Sequence, residues 1–178
     1  MEPKENNQLA KAEQFDVKAL VGYLDSMGLA QMMNEKEKVQ FIEIAKAFEL
    51  NPFKREIYCV KYKADSPLSI IVGYETYIKR AERSKMLDGW NVVTEGKTED
   101  NSLKAIITIY RKDRKHPFVH EVFYSEYVQK ANDGKPNKFW QKAQTMTKKV
   151  AIAQGFRLCF SDELGGMPYT SEEINDTE

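Results

Sequence analysis

Along REIYCVKYK, residues 55–63, the cations Arg55, Lys61 and Lys63 are interleaved with Tyr58 and Tyr62. A second basic group, Lys138, Lys142, Lys148, Lys149 and Arg157, has no acidic residue between its first and last members, and Lys79 adds a charge in KRAERSK. Cations set along a track with aromatic faces beside them can hold a single nucleic-acid strand: Lys and Arg neutralise phosphates and release counterions, while rings stack on bases. Neither contact reads sequence, and each stacked base adds roughly 1–3 kcal/mol. Ordinary structural roles compete with this reading. Arg55, Lys61 and Lys63 could be solvated strand ends, and Tyr58, Tyr62, Tyr74, Tyr77 and Trp140 fit packing better than stacking; Trp140 stays in the candidate DNA-binding set as a residue that shapes the groove.

Enzyme chemistry finds little support. The chain has no GxxxxGK[ST] phosphate loop, no GxGxxG, no GxSxG elbow and no HExxH. A metal-dependent nuclease, the alternative function, needs converging carboxylates, yet Glu56, Asp65, Glu75, Glu82 and Asp88 are interleaved with Lys and Arg and read as surface pairs. His116 and His120 flank Pro117 without further ligands, which argues against zinc. Cys59 and Cys159 sit in apolar surroundings, as reduced core thiols do. No catalytic residue, metal or nucleotide cofactor is expected.

The zero net charge conceals a polarised chain. Residues 1–50 carry a net −3, residues 51–160 a net +9 and residues 161–178 a net −6. A basic centre between acidic ends is a nucleic-acid signature that the total hides. No apolar run approaches the roughly eighteen residues of a membrane span, and the polar N-terminus is unlike a signal peptide, so a cytoplasmic location is expected.

The elements that must position these side chains follow from periodicity. Residues 1–14 lack a pattern and read as a flexible N-terminus, residues 15–168 as one domain, and residues 169–178 as an acidic tail beyond Gly165-Gly166. A short helix starts from Asp16 and stops at Gly28. A second is capped by Asn34 with Glu37 reaching back, presents Val39, Ile42, Ala45 and Phe48, and ends at Asn51-Pro52. REIYCVKYK and LSIIV are strands, and YETYIKRAERSKM is a helix closing near Asp88-Gly89. A meander of WNVVTE, LKAIITIYRK and PFVHEVFY follows, with Leu103, Ala105, Ile107 and Ile109 on one buried face. The last helix covers FWQKAQTMTKKVAIAQGFRLCF, with Trp140, Ala143, Thr147, Val150, Ala151, Gln154 and Leu158 toward the body and Lys142, Thr145 and Lys149 outward. The fold class is α+β, a twisted antiparallel sheet packed with helices.

The succession FELNPFKREIY, VGYETYIKRAERSKMLDGW, ITIYRKDRKHP and, after Trp140, MTKKVAIAQGFRLCFSDELGGMPYTSEE resembles the phage lambda recombination protein beta (Bet) family of RecT-like single-strand annealing proteins, over about residues 35–174. The resemblance implies a distantly Rad52-like annealing core. It implies binding of single-stranded DNA and annealed duplex without ATP, by ring or helical homo-oligomers in a bacterial host cell. It also implies DNA-binding roles for Arg55, Lys63, Lys148 or Lys149, and Arg157. Relatives carry a C-terminal domain that engages a partner exonuclease and the host single-strand binding protein; nothing of it is expected after Tyr169, so partner docking has no support in these residues. A structural phage protein is the remaining alternative.

Overall fold

The computed structural model describes residues 17–28, 31–61 and 66–174. The chain divides into two compact units, one up to Ser69 and the other from Ile70 onward.

The first unit is helical with one short strand. Helix α1 (Val17–Ser26) buries Leu20 and Leu24, one turn apart; the expected cap, Asp16, lies outside the described residues. Helix α2 (Glu35–Ala47) opens with the expected capping box: the Glu37 amide donates to Asn34 Oδ1 at 2.9 Å, and the Asn34 amide donates to Glu37 Oε2 at 2.8 Å. Its inner face differs from expectation. Phe41, Ile42 and Ala45 are buried, whereas Val39 is 59% exposed. A three-residue repeat falls about 60° short of a full turn at each step, so Val39 swings off the stripe.

After α2, Asn51 organises a tight turn. Its Oδ1 accepts the amides of Phe53 and Lys54 at 2.9 and 3.2 Å, and the buried Glu56 carboxylate accepts the Asn51 amide at 3.0 Å. Arg55 sits there in the left-handed region at φ 57°. Strand β1 (Ile57–Val60) follows, with Ile57 and Cys59 buried; the expected strand was longer, and Tyr62 and Lys63 lie outside the described residues.

The second unit begins within strand β2 (Ser69–Val72) and continues into helix α3 (Tyr74–Arg83). That helix ends earlier than expected, because Asp88-Gly89 does not close it. The pair instead forms a bulge in strand β3 (Leu87–Glu95), where the register with strand β4 (Lys104–Arg111) shifts between Leu87 and Gly89. Strand β5 (Phe118–Phe123) completes an antiparallel β3-β4-β5 sheet. Gly96, at φ 79°, turns the chain out of β3; a Cβ there would stand 2.3 Å from the Ser102 carbonyl oxygen, so glycine is required. Leu103, Ala105, Ile107 and Ile109 are buried, as their alternation predicts. A one-turn helix α4 (Tyr124–Tyr127) follows.

Helix α5 (Ala143–Cys159) packs across β4 and β5 and also against α3 and the short α6 (Ser161–Leu164). Trp140 precedes the helix rather than lying on it, yet is fully buried. The approach is closest at Gly155, where a Cβ would lie 2.6 Å from Ile107 Cγ2. The simple division into an inner apolar and an outer basic side fails for α5. Met146, Ile152, Ala153 and Phe156 are buried as well as Val150 and Ala151, whereas Leu158 is exposed. Elements on opposite sides of one helix leave it little solvent face.

Candidate nucleic-acid interface

The cations singled out in the sequence fall into two classes, those that face a carboxylate and those that do not. Lys61 belongs to the first: its Nζ lies 3.3 Å from Glu37 Oε1 and donates to the Met32 carbonyl at 3.1 Å. Arg55 is exposed on its turn and makes no ion pair among the described residues. Both belong to the first unit.

In the second unit, Lys149 and Arg157 are covered by the chain's own C-terminal segment. Lys149 Nζ pairs with Glu172 Oε1 at 3.1 Å and lies 5.8 Å from the Tyr74 ring centre. The Arg157 guanidinium grips Glu173 through two bonds of 3.0 and 2.5 Å, over the Tyr169 ring at 4.4 Å and the Tyr77 ring at 5.7 Å. The side chains of Arg157 and Glu173 are only 15% and 4% exposed. The acid-free stretch from Lys138 to Arg157 therefore does not leave Arg157 exposed or unpartnered. Its partner lies outside the acid-free stretch, sixteen residues further along the chain.

Nor does the chain leave the body at Gly165-Gly166. Met167 and Thr170 are buried, the Val72 amide donates to the Tyr169 carbonyl at 3.1 Å, and the Tyr77 hydroxyl donates to the Pro168 carbonyl. Glu173 also accepts from the Thr170 amide and hydroxyl, both at 3.0 Å. The spacing T-S-E-E, a Thr with Glu three residues on, was the sequence signal for this turn.

The charges tune one another. Burial disfavours the Lys149 ammonium, but the Glu172 charge and hydrogen bond outweigh it and hold its pKa above the usual lysine value. Arg157 is likewise raised: burial acts against the charge, and the bond to Glu173 more than offsets it. Burial pushes the Tyr77 phenol up to about 12, despite the opposing Arg157 charge.

Lys138, Lys142 and Lys148 of the second unit join Arg55 in the second class, with no carboxylate partner among the described residues; Lys138 and Lys142 are exposed and Lys148 is half-buried. Lys142 stands at the N-terminus of α5, whose first turn has neither a side-chain cap nor an acid. An open cleft of about 400 Å³ lies beside it, lined by Lys97 and Glu99 of the β3–β4 loop and by Gln141, Gln144 and Thr145. The sequence reading missed Lys97, because only the folded hairpin brings it to the start of α5. Unpaired N–H groups at a helix start, with the positive end of the helix dipole, favour an anion. Lys79 lies on the exposed side of α3.

Trp140 and the two histidines take structural places. Trp140 is fully buried beside Tyr124, with ring centres 5.8 Å apart, and its indole N–H finds no partner among the described residues. Burial of this ring leaves no face for a base, so its place in the candidate DNA-binding set is corrected: a direct contact with DNA is closed to it. His120 Nε2 lies 2.9 Å from Gln154 Oε1, while His116 is exposed on the β4–β5 turn. Among the described residues no cluster of three or more metal-ligating side chains occurs, and no helix is long and apolar enough to cross a membrane.

A search of characterised proteins returns no match to this chain. The model of the RecT family matches residues 13–178, nearly the whole sequence, in keeping with the motif succession and the α+β fold. The chain thus belongs to the RecT family and is a RecT-like single-strand annealing protein of DNA recombination.

Proposed function

We propose that the protein anneals complementary DNA strands without ATP, as a ring or helical homo-oligomer, with the first strand lying along the cations of the second unit that lack a carboxylate partner. The observation that carries this placement is the α5 cleft: Lys97 and Lys142 flank it, an uncapped helix start opens into it, and Lys138 and Lys148 stand nearby in the chain. Backbone phosphates held by lysines and helix amides leave the bases turned outward, so an incoming strand can sample them. Correct pairing is retained when both backbones are held. Because the protein grips phosphate, it tolerates any sequence.

Arg55, Lys61, Lys63 and Lys79 are further members of the proposed strand-binding set. Lys149 and Arg157 join it only where Glu172 and Glu173 give way to phosphate. No cofactor takes part, and a partner exonuclease and the host single-strand binding protein are partners that the family resemblance alone implies.

Mixing two complementary oligonucleotides with the protein in nucleotide-free buffer, and following duplex formation on a native gel, tests the activity. Duplex should form without shortening of either strand. The variant Lys138→Gln/Lys142→Gln/Lys148→Gln should anneal more slowly, and its log-affinity against log-salt slope should flatten by about 2, some 0.7 for each phosphate no longer neutralised. An unaltered slope in that variant would remove this face from the assignment.

A further inference from the structure

We propose that the turn joining β4 to β5 is a second site for the phosphate backbone of single-stranded nucleic acid, separate from the α5 cleft. The turn, residues 112–117, exposes Lys112, Arg114 and Lys115. The Lys112 amide donates to the Met86 carbonyl at 2.8 Å, which brings the turn against the segment bearing exposed Lys85. None of these four cations makes an ion pair among the described residues. That separates them from Lys104, Arg111, Lys149 and Arg157, each neutralised by a carboxylate.

The only acid in the turn is already engaged. Asp113 accepts two bonds from Arg111, at 2.8 and 2.7 Å. Arg111 also donates to the Cys159 carbonyl at 2.7 Å and lies 4.6 Å from the Phe160 ring centre, so the base of the turn is pinned to the end of α5. The neighbouring acids include Glu82 and Asp88, close in the chain to Lys85, and Asp162 of α6, whose charge acts on Arg111; all three are exposed. Four like charges held together without carboxylate partners repel one another, and a polyanion relieves that repulsion.

An aromatic face accompanies the charge. Tyr110 is 47% exposed and pairs across the sheet with Gly89, which has no side chain to cover the ring. Lys112 follows two residues later in the chain, so the end of β4 and its turn offer both an exposed ring and a cation without an ion pair, the two kinds of group that hold single strands without reading sequence. The site is distinct from the cleft because the two lie at opposite ends of β4: the cleft adjoins Leu103, and the turn follows Arg111. At about 3.4 Å per residue they are roughly 25 Å apart, too far for one phosphate and suited to separate stretches of backbone.

This inference rests on the annealing reading only for the identity of the polyanion. The test uses the full chain and a fluorescein-labelled oligothymidine, which cannot pair with itself, with anisotropy followed across a range of salt. Lys112→Gln/Arg114→Gln/Lys115→Gln should flatten the salt slope by about 2. Tyr110→Thr, which keeps strand propensity, should lower affinity roughly fivefold to a hundredfold with the slope unchanged. These exposed positions predict parental melting temperatures for both variants. A correctly melting triple variant with the parent's slope and affinity overturns this site alone. A folded parent that fails to bind oligothymidine overturns it together with the annealing reading.

Discussion

Removing the Arg157 side chain should damage the fold before it damages DNA binding. Arg157→Ala leaves the Glu173 carboxylate, 4% exposed, without its counter-charge. Breaking one side of a buried pair costs about 3–5 kcal/mol. Glu173 keeps its two bonds from Thr170, which places the loss near the lower end, about 3 kcal/mol. For a chain of this size that lowers the melting temperature by roughly 6–12 °C. Glu173→Gln keeps an oxygen for Thr170 but removes the charge, so adding Arg157→Ala to it should cost only about 1 kcal/mol. Urea unfolding of the four proteins then gives a coupling energy of about 2 kcal/mol. A loss under about 1 kcal/mol for Arg157→Ala, with no coupling, would refute the role of this pair in holding the C-terminal segment. The outcome also governs how binding data are read: weaker annealing by an Arg157 variant reports a missing phosphate partner only at temperatures where the variant is folded.

Glu172→Gln removes the carboxylate that neutralises the more accessible Lys149, so strand affinity should rise and the salt slope steepen by up to about 0.7, with stability changed by less than about 1 kcal/mol; anisotropy titrations measure the first and urea unfolding the second. Gly155→Ala should destabilise by about 1–3 kcal/mol despite alanine's better helix propensity, since its Cβ meets the branched Ile107 at 2.6 Å, and thermal melting reads the result. In alkali, burial holds the Cys59 thiol at about 11 against an ordinary 9.0, and the Tyr77 phenol at about 12 against 10.0. Both folded values are raised, so their contribution is intact below about pH 9 and is lost as pH rises toward 11 and 12. Urea midpoints should fall across that window, and those of Tyr77→Phe should fall less steeply above about pH 10.

Local chemistry was legible in the chain. The Asn34–Glu37 box, the alternation of Leu103 to Ile109 and the turn at Asn51-Pro52 each depend on residues a few positions apart. Helix α5 was legible as a helix but not as a buried one. Its surroundings come from β4, β5, α3 and α6, and no window on α5 records that Ile107 will rest on Gly155. The candidate cations were visible as residue types. Which of them would be neutralised was not, because Glu172 and Glu173 stand 23 and 16 residues from their partners in a stretch that composition alone marks as a tail. Net charge counts both members of an ion pair as available, whereas the fold sets Lys149 and Arg157 apart from Lys138 and Lys142.

The chain's two tryptophans, Trp90 at the bulged end of β3 and Trp140 in the core, both lie after Ser69. Indole emission is consequently a private signal of the second unit: a sheltered fluorophore and a half-exposed one should give two accessibilities to a collisional quencher. Helices α1 and α2 are dark in that channel but bright in far-ultraviolet dichroism. Overlaid melting curves from the two signals therefore report whether the chain up to Ser69 and the chain after it come apart together or in turn.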